Sequence, residues 1–83
     1  MKYTVTIKVY DDEVKRSYKT FDKAYSVIAK DFKEWIEDLA DDMCDYSIIE
    51  KEMTRMNEEI INNKSYAYRK RGYNKYIATI TVE

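Results

Sequence analysis

A chain of 83 residues, 45% hydrophobic and 37% charged, suits one folded domain over residues 1–83 with a modest core, and it excludes both a disordered chain and a multidomain enzyme. The formal net charge is −1, and proline and histidine are absent. That composition removes the commonest general base and metal ligand, and the single glycine, Gly72, cannot build a phosphate-binding loop.

Other compositional signals narrow the setting. Cys44 is the only cysteine, so no internal disulfide can form, and a reducing, cytoplasmic environment is expected. No apolar run approaches the roughly 18 residues of a membrane span, and the start alternates instead of forming a signal-peptide block. Abundant Lys, Ile, Tyr and Asn are the bias of a low-GC genome.

Residues 2–10 alternate, with Tyr3, Val5, Ile7 and Val9 on one face and Thr4, Thr6 and Lys8 on the other, which predicts a half-buried strand. Asp11, Asp12 and Glu13 read as a turn, and Val14 to Lys19 as the returning strand of a hairpin.

The period then changes. Thr20 is a predicted N-cap and Asp22 complements the helix dipole. Phe21, Ala24, Ile28, Phe32, Trp35, Ile36, Leu39 and Met43 share one face of a helix predicted over residues 21–43. Ser47 and Glu50 match a capping box and predict a second helix from about Ile48, with a stripe of Ile49, Met53, Met56 and Ile60. Asn62 and Asn63 are its expected terminators.

Two further strands are expected, at Ser65 to Arg69 and at Ile77 to Val82, joined by a turn near Lys70 to Asn74 that uses Gly72. The order ββααββ predicts an α+β fold: a four-stranded antiparallel sheet, order 2-1-4-3, with an αα-hairpin on one face. Thr4, Thr6, Lys8, Lys15, Ser17, Lys19, Thr79 and Thr81 fall on the open face. Tyr3 and Tyr76 fall on the covered one, which argues against a base-stacking sheet. The side taken by Tyr66 and Tyr68 is left open.

Charge is unevenly placed. Residues 1–30 carry seven basic and four acidic side chains, residues 31–63 three and eleven, and residues 64–83 five and one. Within the middle third, Asp31, Glu34, Asp38, Asp41, Asp42 and Asp45 follow 3-4 spacing and fall within about 100° of arc, over a length of about 21 Å. Lys33 points to the far side. Like charges at this spacing oppose one another, and carboxylates in a last turn oppose the helix dipole. A row that breaks local rules in this way suggests a docking surface for a basic groove. The competing reading is a solvated face neutralised by Lys64, Arg69, Lys70, Arg71 or Lys75.

A second candidate surface is the basic hairpin of Tyr68, Arg69, Lys70, Arg71, Tyr73 and Lys75, which suits phosphate contact or a protein hot spot. No catalytic residue, metal site, cofactor or small-molecule substrate is expected. Cys44 has no imidazole partner, and carboxylates on a straight helix diverge.

A short ββααββ chain with an acidic helix and a low-GC bias resembles the small phage-encoded inhibitors, anti-CRISPR proteins that mimic DNA among them. The resemblance is one of character and carries no residue assignments. It implies a binding protein, not an enzyme, that occupies a lysine- and arginine-rich nucleic-acid channel in the cytoplasm of a bacterial host. The alternatives are a nucleic-acid-binding module using the basic hairpin, and a structural protein that self-associates through its acidic and basic faces.

Overall fold

A computed structural model describes residues 1–70 and 73–83, with the side chains of Lys70, Tyr73 and Asn74 outside that description. In chain order the elements are β1 (Tyr3–Val9), β2 (Asp12–Tyr18), α1 (Phe21–Met43), α2 (Ser47–Asn63), β3 (Ser65–Lys70) and β4 (Tyr73–Val82). The sheet order is β2-β1-β4-β3 with every neighbour antiparallel. The helical hairpin returns the chain to the side it left, so β4 can lie against β1 along seven register pairs, from Tyr3 with Val82 to Val9 with Tyr76.

Alternation along the strands and 3.6-residue periodicity along the helices meet in one core. From α1 come Ala24, Ile28, Phe32, Ile36 and Ala40, from α2 Met56 and Ile60, and from the sheet Val5, Tyr66, Tyr68, Tyr76, Ala78 and Ile80. Tyr66 and Tyr68 thus face the helices. Phe32 lies against Tyr66 and Tyr76 with ring centroids 5.1 and 4.9 Å away, and Trp35 meets Tyr68 edge-on at 5.4 Å. Burial of each such ring is worth about 1.5–3 kcal/mol, with about 0.5–1.5 more for a well-placed ring pair.

Tyr66 and Tyr76 bring buried hydroxyls that need acceptors, and both find a carboxylate. Tyr76 donates to Asp31 and Tyr66 to Glu52, both at 2.7 Å. Burial first and the adjacent carboxylate second push both phenols far above the ordinary tyrosine value. Glu52 is 6% exposed and would be a costly buried charge but for Arg55, whose Nη1 donates to it at 3.0 Å. The same guanidinium holds Glu59 at 2.7 Å and the Ala67 carbonyl of β3 at 3.2 Å. Between the helices, Tyr25 donates to the Asn57 side chain.

Several boundaries differ from those the sequence suggests. The β1–β2 connection is the two-residue Tyr10-Asp11, with Tyr10 at φ 55°, so Asp12 and Glu13 belong to β2. The capping box does not form. Tyr46 occupies the N-cap of α2 without a side-chain bond, while Asp45 accepts from the amide and hydroxyl of Ser47 at 3.1 and 2.6 Å. Lys64, at φ 58°, and not an asparagine, makes the left-handed exit from α2. β4 begins at Tyr73 instead of Ile77, and a register shift lies between Tyr68 and Arg69. The expected role of Gly72 lies outside the described residues.

Candidate functional site

Thr20 starts α1 as expected: its hydroxyl accepts the Lys23 amide at 3.2 Å. The helix then runs unbroken for 23 residues, about 34 Å at 1.5 Å per residue, against about 23 Å for a seven-residue strand. The ten-residue β4 is about as long as the helix, at about 33 Å. Residues 41–47 are exposed, and Met43, predicted to face the core, is 37% exposed.

Five of the six predicted carboxylates, Asp31, Glu34, Asp38, Asp41 and Asp42, ride on this helix. Asp45 does not. The chain leaves the helix at Cys44, at φ 53°, and Asp45 sits in the connection as the acceptor for the first turn of α2. The six thus form a row of five followed by a displaced sixth, because the left-handed residue breaks the helical phase.

Their partners divide them into two groups. Asp31 accepts from the buried Tyr76, Asp45 from Ser47, and Asp41 faces the Tyr46 phenol, whose pKa rises through that hydrogen bond and the neighbouring charge. The Ser47 hydroxyl and amide hold the Asp45 carboxyl below its ordinary value. These partners are hydroxyl and amide donors, which orient a carboxylate without cancelling its charge. Glu34, Asp38 and Asp42 have no ion pair with any described cation. The described salt bridges instead join Lys2 to Glu83, Lys15 to Glu13, and Arg55 to Glu52 and Glu59.

The basic hairpin is less unified than its sequence. Tyr68 is 9% exposed and packed against Trp35, so its ring belongs to the core. Arg69 is exposed, and Lys75, on the open sheet face, lies 5.6 Å over the exposed Tyr10 ring. Arg71 lies outside the described residues, as do the side chains of Lys70 and Tyr73. The open face otherwise carries the expected threonines and lysines, with Thr4 hydrogen-bonded to Ser17 and Ser65 to Thr79.

Two features escaped the sequence reading. One is the Glu52–Arg55–Tyr66 network, since an acidic residue in a polar helix gives no sign of burial. The other is a groove of about 410 Å³ between α1 and the β1–β2 hairpin, lined by Val5, Ile7, Val9, Val14, Arg16 and Asp31 among others. It exists because α1 lies over β1 without covering Asp12, Val14 and Arg16 of β2, while Tyr18 at the end of that strand packs against the core. Alternation of Asp12, Val14 and Arg16 on the helix-side face was the available signal.

Among the described residues no group of three Cys, Asp or Glu side chains is placed to hold a metal ion, and no helix is long and apolar enough to cross a membrane. No family model, curated protein or solved structure matches the chain.

Proposed function

We propose that this protein is a macromolecule-binding inhibitor of the anti-CRISPR-like, phage-encoded kind. In this reading the outer face of α1 enters the basic groove of a nucleic-acid-binding protein and competes there with DNA. The observation that supports the reading is the state of the carboxylates: Glu34, Asp38 and Asp42 make no ion pair with a described cation, and the partners of Asp31, Asp41 and Asp45 leave their charge in place. A negative row of this kind is attractive to a lysine- and arginine-lined channel, and the attraction is screened over about 10 Å at 0.1 M salt. The presenting residues are Glu34, Asp38, Asp41 and Asp42, with Asp31 and Asp45 set in place by the fold.

The test is capture from a bacterial lysate on the immobilised protein, followed by elution with duplex DNA. The reading expects a nucleic-acid-binding protein that DNA and raised salt both release. It also expects that the variant with Asp38→Lys, Asp41→Lys and Asp42→Lys captures nothing while keeping its circular dichroism. Capture that survives the triple change refutes the acidic surface. If instead the chain itself retains labelled DNA, and Arg69→Glu with Arg71→Glu abolishes that retention, the basic side is the functional one.

A further inference from the structure

The uncovered edge of the sheet carries a pattern that the acidic helix does not explain. Six of the seven residues of β2 are exposed, including Val14 at 53%. A strand edge of this sort presents unpaired backbone groups. Which groups face outward follows from the hairpin: Val9 and Asp12 close a two-residue connection as a hydrogen-bonded pair, and hydrogen-bonded and non-hydrogen-bonded pairs alternate from there. Asp12, Val14 and Arg16 therefore turn their backbone groups to β1. Glu13, Lys15 and Ser17 turn theirs to the outside.

We infer that β2 is a homodimer edge, on which a second copy of this chain pairs antiparallel about a two-fold axis at Val14. The register follows from charge. Centred on Val14, the ladder sets Asp12 opposite Arg16 and Glu13 opposite Lys15, and symmetry repeats both pairs. Centring on Glu13, Lys15 or Arg16 sets like charges face to face at the axis, which is destabilising. The Val14 register also satisfies the backbone, because Glu13 and Lys15 are the residues with outward amides and carbonyls. It leaves Val14 in a non-hydrogen-bonded pair, where Cα atoms approach to about 4.5 Å and the two side chains meet.

Neither pairing across the axis is fully available within one chain. Asp12 and Arg16 lie about 13 Å apart along the strand. Glu13 and Lys15 make only an exposed contact at 3.7 Å. Asp12, Val14 and Arg16 all line the groove beside α1, so pairing would extend its apolar floor across the axis into an eight-stranded sheet. Charges on an edge usually deter pairing. Here they deter strands of other sequence and admit the chain's own copy, which is how repulsion produces specificity.

The test is the solution mass by light scattering across a range of concentrations, with reductant present to keep Cys44 out of disulfides. Wild type is expected to move from one chain mass to two as concentration rises. Val14→Lys, which brings two cations together at the axis, is expected to hold it at one. Asp12→Arg alone and Arg16→Asp alone are each expected to abolish the dimer, and the two combined to restore it, because the pair is then reversed but still opposite. Under mild oxidation, Val14→Cys in a Cys44→Ser background is expected to cross-link as a dimer. A monomer at every concentration overturns the inference. So does a dimer that survives Val14→Lys, or one that the double reversal fails to restore. The triple aspartate change on α1 leaves this dimer intact, so the two proposals fail separately.

Discussion

At the β3 edge the sheet ends under α2. Tyr66 is 1% exposed, its hydroxyl is held by Glu52, and Arg55 reaches across to take the Ala67 carbonyl. At the β2 edge the covered-side residues are Asp12, Val14 and Arg16, and no helix lies over them closely enough to bury any. One edge is protected by cover and the other by charge. The difference arises from where α1 crosses: a helix that packs Phe32 and Trp35 among Tyr66, Tyr68 and Tyr76 is drawn to the tyrosine side and leaves the valine side open. The lesson is that sheet order alone does not say which strand is an interior one in energetic terms.

The comparison can be broken most forcefully at the covered edge. Tyr66→Ala removes a fully buried ring and is expected to cost about 3–5 kcal/mol, read as a fall in the urea midpoint with an unchanged slope. Alkaline pH attacks the same side. The folded-state pKa values of Tyr66 and Tyr76 are raised, so the stability they hold is complete below about pH 10, where the unfolded phenol titrates, and is lost as pH rises beyond it. Each contributes a loss of up to about 1.4 kcal/mol per pH unit in that range. Tyr76→Phe should flatten the decline measured between about pH 9 and about pH 11. Next in size is Arg55→Ala, which leaves Glu52 buried with only the Tyr66 hydroxyl and is expected to cost about 1–2 kcal/mol by thermal unfolding. The smallest effect belongs to the open edge. At a dilution where the chain is monomeric, Val14→Ala should change stability by less than about 0.5 kcal/mol, and a larger loss would mean the two edges are not so different.

Much of the architecture was legible because local patterns agreed with one another. The change from period 2 to period 3.6 at Phe21, the Thr20 cap and the return of alternation at Ser65 determine the element order, and antiparallel closure then leaves 2-1-4-3 as the short-connection solution. Misreadings occur where a side chain has two possible employers. Ser47 matched a capping box yet donates to Asp45, and Asn62 and Asn63 looked like terminators although Lys64 takes the left-handed position. The acidic row was visible as spacing, but not the diversion of Asp31 to Tyr76, which depends on a partner 45 residues away in sequence. The β2 pattern lay in plain view, since Asp12, Glu13, Lys15 and Arg16 are adjacent in sequence. It acquired meaning only when β2 proved to be an uncovered edge.

The C-terminal turn of α1 has a dynamic corollary. Beyond Ala40 every residue of the helix is exposed, and it closes on a cysteine held at positive φ, a conformation glycine would adopt more readily. Amide hydrogens there should exchange with solvent through local fraying, while those around Phe32 wait for global opening. Asp41 and Asp42 lie in that last turn, so a partner that engages them is expected to slow the exchange.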